Sequence, residues 1–370
     1  MVNHAILFEK LQTYGIRGNT LNWFKTYLEN RKQMVEIMNI NENGFYIIHE
    51  SPLLINNVGV PQGSVLGPLL FLIHINDLPN VIPQAHVTLF ADDTTITVTD
   101  ETTINLESKA KAVLNTLETW FHNNKLLLNL SKTTYVPFRT QQNKNYLKEV
   151  LTVGNNKIQP TNCVKFLGIQ IDDHLSYKQH VSHLTTKLSR SCFALYTLRK
   201  KLDLNTLKSV YYANFESHLR YGILLWGSDS NIEKIFKIQK RAIRIITRKG
   251  PREHCRKLFQ YLKCLTLPSL YILECLIYVK QNLEIIPLNK SIHGYNTRNK
   301  DNTHINSCKL TLTKKSPQNV SLTLYNKLPL EIKDEDNINK FKNKVKELLL
   351  RKAYYSTVEF LEDVHSHKPY

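Results

Sequence analysis

Acidic residues are in short supply. The 370 residues hold 31 Asp and Glu against 49 Lys and Arg, a formal net charge of +18. That imbalance favours a polyanionic partner, nucleic acid before membrane. Paired cysteines are missing too. Cys163, Cys192, Cys255, Cys264, Cys275 and Cys308 form no C-x-x-C pair, and no Cys/His set has zinc-finger spacing. Scattered cysteines in a large chain read as reduced thiols of an intracellular protein, its compartment left open. Long apolar runs are absent. The longest, VLGPLLFLIHI, is interrupted by Gly, Pro and His and is too short to span a bilayer. The opening MVNHAILFEK lacks the basic-then-apolar pattern of a secretory signal. No internal repeat or low-complexity tract is visible. What remains is an ordinary globular composition, 42% hydrophobic and 22% charged, long enough for two or three domains.

Hydrophobic periodicity orders the chain. HAILFEKLQTYGI places Ile6, Leu7, Leu11 and Tyr14 on one helical face, with Gly15 as its stop. LNWFKTYLENR reads as a second short helix. QMVEIMN and FYIIHE are strand-like around the turn NENG. A Gly/Pro loop, VGVPQGS, then leads into an apolar helix. Val87 and Leu89 alternate with Thr88 and Phe90, and Ile96 and Val98 with Thr95 and Thr97, which predicts a hairpin over LFADDTTITVT. Leu106, Ala110, Val113, Leu114, Leu117 and Phe121 predict a long helix. NNKLLLNLSKTTYVPF is expected to lead into a strand, and NCVKFLGIQIDD to form another hairpin. Beyond residue 175 the pattern is helical, around 178–201, 204–219 and 232–248. Positions 231–300 hold 15 Lys and Arg but 4 Asp and Glu. The stretch 287–320, rich in Asn, Lys, Thr and Ser, reads as a loop or linker, and NKFKNKVKELLLRKAYY as a closing basic amphipathic helix.

Asp92 and Asp93 stand at the bend of the predicted hairpin. Adjacent carboxylates repel, and a shared divalent cation would remove that repulsion. Mg²⁺ takes carboxylate oxygens together with substrate phosphates, the arrangement of phosphoryl-transfer sites. Turn chemistry alone also places Asp at a bend.

The pair is one of four ordered blocks. GVPQGSVLGPLLFLIHINDLP precedes it, and LNLSKT and KFLGI follow. In this order the set resembles the reverse transcriptases of non-long-terminal-repeat retrotransposons, especially the jockey-like insect elements. ILFEKLQTYGIRG, FESHLRYGILLWGS, HGYNTRN and YNKLPLEIK also resemble family segments. The resemblance implies an α+β fold: a partial right-hand polymerase palm, an antiparallel sheet with helices, over 1–175. A helical thumb over 176–230 and a basic, mostly helical region over 231–370 would follow. It implies an RNA-directed DNA polymerase that uses an RNA template, a DNA primer and deoxynucleoside triphosphates, with Mg²⁺ or Mn²⁺ as cofactor.

Roles follow the blocks. Asp92 would be the principal metal ligand and Asp93 its supporting neighbour. Gln62, Gly63 and Ser64 would position template and nucleotide, although a Pro/Gly turn before a buried helix reads the same way. Lys132 would lie near the triphosphate, or else be a solvent-facing lysine at a strand start. Phe166, Leu167 and Gly168 would grip the primer end, or be core residues with Gly168 at a bulge. Arg190, Arg199, Lys200 and Lys201 on the thumb, with Lys240, Arg241 and Arg244 beyond it, would hold nucleic acid by its phosphates.

Family members take one more metal ligand from an earlier strand ending in a motif like AFDxVNH. Val2, Asn3 and His4 match its tail, and Met1 stands just after the place of the Asp. On the resemblance, this chain lacks the first metal-binding carboxylate and the fingers. Asp77, Asp172 and Asp173 are no obvious replacements. Primer extension by this polypeptide is therefore not expected, and a non-catalytic nucleic-acid-binding remnant is the alternative.

Overall fold

The computed structural model describes residues 2–144, 146, 150–154, 156–292 and 298–363. Most of the HGYNTRN segment, 293–297, lies outside the described residues. Chain contacts divide the molecule into two units, Met1–Pro137 with Gln142–Thr161, and Phe138–Gln141 with Asn162–Tyr370. Helices and two-stranded antiparallel ladders make up both, an α+β fold.

The first unit opens with α1 (His4–Thr13) and α2 (Gly18–Leu28). Asn3 caps α1 by accepting the Ile6 N–H, and Gly15, at φ +87°, follows its end. The buried face is His4, Leu7, Phe8 and Leu11. Tyr14, expected inside, is 51% exposed because the apolar stripe turns toward Phe8, and its hydroxyl accepts the Asn76 amide. Next, β1 (Arg31–Gln33) pairs with β4 (Leu54–Asn56), and β2 (Glu36–Ile40) with β3 (Tyr46–Glu50). The NENG turn closes the second pair. Met38, Ile40, Tyr46 and Ile48 share one exposed face of it.

Then come α3 (Leu66–Ile75), α4 (Leu78–Val81), the hairpin β5 (His86–Phe90) and β6 (Asp93–Thr97), and α5 (Thr103–Asn123). The Thr102 hydroxyl caps α5. Phe71 and Ile75 of α3 share one core cluster with Val87, Leu89 and Ile96 of the hairpin and Val113, Leu117 and Trp120 of α5. Farther along, β7 (Leu151–Val153) pairs with β8 (Asn156–Ile158) beneath Ala110. The strand expected from NNKLLLNLSKTTYVPF is reduced to a single bridge between Tyr135 and Pro160. Leu128 and Leu130 do turn inward. Between and after them, however, Asn129 accepts from the Ser131 hydroxyl at 2.7 Å and from the Thr133 hydroxyl at 2.9 Å. Local bonds of that kind hold the backbone in a turn instead of a ladder.

The second unit begins with β9 (Cys163–Phe166) and β10 (Ile169–Asp172), the expected hairpin. Helix α6 (Lys178–Leu198) follows, then α7 (Leu204–Tyr211), a π-helical turn (Tyr212–Glu216), α8 (Ser217–Arg220) and α9 (Ile223–Trp226). The chain continues through α10 (Ile232–Ile246), α11 (Arg256–Leu262), α12 (Leu267–Gln281), α13 (Asn289–Ile292) and α14 (Thr311–Lys314). It closes with α15 (Pro317–Asn326), α16 (Leu330–Lys333), α17 (Ile338–Lys352) and α18 (Thr357–Asp363). One continuous core runs through most of these helices, including Leu188, Tyr211, Trp226, Ile243, Phe259, Leu276 and Phe341. Among the described residues no single helix is long and apolar enough to cross a membrane. Helices α11 and α12 pass that test only as a pair bent by 58°, and α12 is buried in this core. No disulfide forms among the described residues.

Candidate active site

The register of β5 and β6 pairs Phe90 with Asp93, so Ala91 and Asp92 form a two-residue bend. Ala91 has φ +50°, the left-handed region that primed hairpin turns require and that glycine usually fills. Val87, Leu89 and Ile96 anchor the base of the hairpin in the core, while Phe90, Asp92 and Asp93 stand exposed at its tip. Neither carboxylate has a hydrogen bond or an ion pair among the described residues. The fold therefore places two like charges side by side on a strained bend and pairs neither among the described residues.

Their donor chemistry, carboxylate oxygens open to solvent, fits Mg²⁺ or Mn²⁺ that keeps most of its shell as water and phosphate. A third protein ligand is not at hand. Among the described residues no group of three His, Cys, Asp or Glu is placed to hold a metal. Asp77, Asp172 and Asp173 are engaged elsewhere. Asp77 binds Lys10 Nζ at 2.7 Å. In the second unit, Asp172 accepts from the backbone N–H groups of His174 and Ser176 and from the Ser176 hydroxyl, while Asp173 pairs with Arg139 at 3.0 Å.

The VPQGS loop enters α3 through Ser64. Its hydroxyl donates to the Pro61 carbonyl at 2.7 Å and accepts the Gly67 N–H at 3.0 Å. The helix starts at Leu66, two residues beyond Ser64. Gly63 has φ +78°, and nothing lies within 4 Å of where a Cβ would sit, so the backbone conformation demands glycine and the space beside it stays open. Gln62 is exposed. At Gly67 the reason differs: a Cβ would meet the Pro61 carbonyl at 2.6 Å, and the loop packs directly on the helix.

Three residues missed as contributors hold this loop. Val2 is buried, and its carbonyl accepts the Gly59 N–H at 2.6 Å. Asn3 bridges to Val58, and His4 Nε2 bonds the Gly59 carbonyl at 2.7 Å. The VNH triplet thus ties the chain start to the loop, which only its position before a helix could have hinted. His74, on α3, is wholly buried. Burial first, and the nearby Lys10 charge second, push its pKa down to about 4. Lys10 itself donates to the His74 carbonyl and lies 5.0 Å from the centre of the Trp120 ring.

Lys132 sits in the Asn129–Thr133 turn, its side chain exposed. No hydrogen bond or ion pair among the described residues joins it to Asp92 or Asp93. Phe166, Leu167 and Gly168 belong to the second unit. The β9–β10 register pairs Phe166 with Ile169, leaving Leu167 (φ +44°) and Gly168 (φ +85°) as a two-residue turn with both φ values positive, where a bulge was the alternative.

The basic residues of the second unit divide in two. Arg190, Lys200, Lys201 and Arg241 are exposed, with no internal hydrogen bond or ion pair from their side chains among the described residues. Arg190 lines a groove of about 270 Å³ on α6 with His183, Thr186 and Lys187. Others serve the fold. Arg199 stacks on Tyr196 at 4.2 Å, and Lys240 lies over Phe236 at 4.6 Å and Tyr355 at 5.5 Å. Arg244 Nε donates to the Glu253 carbonyl at 2.8 Å.

Residues 1–171 match the family described as reverse transcriptase (RNA-dependent DNA polymerase). The chain is 28% identical over 237 residues to a probable RNA-directed DNA polymerase from transposon X-element of Drosophila melanogaster, covering 60% of this chain and 24% of that protein. It is 30% identical over 237 residues to the corresponding protein from transposon BS of the same fly, covering 60% and 25%. To the RNA-directed DNA polymerase from mobile element jockey it is 27% identical over 202 residues, covering 51% and 22%. The chain thus spans about a quarter of the length of these relatives. No solved structure matches it.

Proposed function

We propose that this chain, which belongs through residues 1–171 to the reverse transcriptase family of jockey-like non-LTR retrotransposons, is a portion of an RNA-directed DNA polymerase. Residues 1–175 act as the palm, 176–230 as the thumb and 231–370 as a basic C-terminal region. The partners are an RNA template, a DNA primer and deoxynucleoside triphosphates. The observation that carries this reading is the exposed Asp92–Asp93 pair, raised on a strained bend with no hydrogen-bond or ion-pair partner among the described residues.

Divalent cations supply charge neutralisation at the phosphates and activation of the primer hydroxyl in such sites. Asp92 and Asp93 would hold them, Asp92 as principal ligand. Gly63 leaves the approach to α3 open for a nucleotide, and Gln62 lies exposed beside it. Lys132, exposed on its turn, would offset triphosphate charge and protonate the leaving group. Phe166, Leu167 and Gly168 would meet the primer end. With two carboxylates and no third among the described residues, metal affinity would be weak until phosphate oxygens complete the shell. Nucleotidyl transfer rests on positioning and charge stabilisation, so a missing ligand lowers the rate by several powers of ten.

Primer extension on an RNA template with Mg²⁺ tests this reading. The 370-residue chain should extend poorly, and a chimera that gains a further carboxylate strand from a related element should extend well, with loss of activity on Asp92→Asn. A chimera indifferent to Asp92→Asn would refute the assignment. A second reading, nucleic-acid binding without catalysis, is favoured by the lack of a third acid among the described residues and by the exposed cations of the second unit. In that case the chimera would bind hybrid duplex and extend nothing.

A further inference from the structure

The segment FESHLRYGILLWGS has no part in the chemistry above, yet it meets the β9–β10 turn. The Tyr221 hydroxyl donates to the Leu167 carbonyl, and the Tyr221 ring lies against Gly168, where a Cβ would come 3.4 Å from Cε1. We infer that Tyr221 is a positioning residue, holding the Leu167–Gly168 turn in the shape that faces the primer end. The inference rests on the reading of that turn as a primer contact.

The turn needs to be held. Leu167 carries a side chain yet sits at φ +44°, a region disfavoured for residues with a Cβ. Sequence alone would settle this turn better with Asn-Gly or Gly-Gly. An external bond to the Leu167 carbonyl selects the strained conformation over its competitors.

Tyr221 is itself fixed. Its carbonyl accepts the Trp226 indole N–H at 3.0 Å, and Trp226 is wholly buried. Gly222, next in sequence, has φ +62°, and a Cβ there would strike Ile169 Cδ1 at 2.2 Å. The Tyr-Gly corner is therefore seated on the first residue of β10. From the other side, His180 of α6 accepts the Gln170 N–H through Nδ1 at 3.5 Å. Two separate elements thus brace one short hairpin.

Burial does not explain the tyrosine. The residue is 55% exposed, so little apolar surface depends on it, and phenylalanine would keep the ring contact. What only tyrosine supplies is the hydroxyl, spent on the one strained carbonyl. Removing it should loosen the turn without unfolding the unit.

The test compares the full chain with Tyr221→Phe. Hydrogen exchange is read at residues 167–169, melting temperature by circular dichroism, and affinity for an RNA–DNA hybrid with a recessed primer 3′ end against the same hybrid with a blunt end. In the variant, exchange should rise and recessed-end preference should fall, each by about fivefold, the effect of one ordinary hydrogen bond. Melting temperature should fall by no more than about 2–4 °C, and blunt-end affinity should not move. Unchanged exchange overturns the holding role whatever the binding shows. A wild-type preference for the recessed end that survives in Tyr221→Phe overturns the positioning role. If the wild-type chain has no such preference, the reading of the turn as a primer contact fails, and the positioning role fails with it.

Discussion

Asp92 and Asp93 illustrate a residue-scale conflict between stability and use. No hydrogen bond or ion pair among the described residues stabilises either carboxylate, and adjacent like charges repel. Replacing both by Asn should leave stability unchanged or raise it by about 0.5 kcal/mol, since paired like charges oppose folding. Urea unfolding measures this, and a clear loss of stability would show that the pair has a structural partner. The same variant should lose any Mg²⁺- or Mn²⁺-dependent change in nucleotide binding. His74 gives a second residue-scale expectation. Its folded pKa, about 4, lies below the unfolded value of 6.5, so the unfolded chain binds the proton first as pH falls. Its contribution is complete above pH 6.5 and is lost progressively toward pH 4, at most about 3 kcal/mol. His74→Leu should flatten that part of the pH–stability curve, read by exchange at α3 and α5. A curve as steep as the parent's would assign the acid sensitivity to other groups.

At the scale of elements, legibility followed the kind of signal. Strong periodicity located α5, α6, α10 and α17 and the hairpins around NENG, ADDT and FLG, because burial of one face decides such segments. Segments decided by side chain to backbone bonds were less readable. In LNLSKT, within the stretch expected to lead into a strand, the Asn129 bonds made a turn. The rotation of α1 that buries Phe8 and leaves Tyr14 exposed depends on partners no local pattern contains. In the site, the blocks were visible as residue types, but their supports were not. The ties of His4 to Gly59 and Tyr221 to Leu167 join positions 55 and 54 residues apart. The VPQGS loop yields a prediction that separates its glycines. Gly63→Ala meets open space and should cost only the left-handed backbone penalty, about 1–2 kcal/mol. Gly67→Ala must push the Pro61 carbonyl away and should also shift the loop. Chemical-shift changes confined to residue 63 in the first variant, and spread over 59–67 in the second, are the expected pattern. Equal effects would mean that the loop is not packed as described.

For the whole molecule, the charge of +18 sets how the proposed nucleic-acid partner would be bound, though not every cation would contribute. Neutralising phosphates releases counterions, so the logarithm of affinity should fall linearly with the logarithm of salt concentration. Arg190 and Arg241 are exposed, and their side chains make no hydrogen bond or ion pair among the described residues. Substituting either by Gln should reduce the magnitude of the salt slope by about one, weaken binding to all sequences alike, and leave melting unchanged. Lys240 lies over two aromatic rings, and Arg244 binds the Glu253 carbonyl. Lys240→Gln and Arg244→Gln should instead lower stability, by about 0.5–2 kcal/mol for a lost cation–π or charged hydrogen-bond contact, with a smaller change of slope. The comparison turns on geometry, since all four residues carry the same charge and all were equal candidates by sequence. A salt slope that changes equally in all four variants would mean that internal contacts do not withhold these cations from nucleic acid. Binding that stays constant across the titration would remove electrostatics, and with it the role assigned to the basic helices.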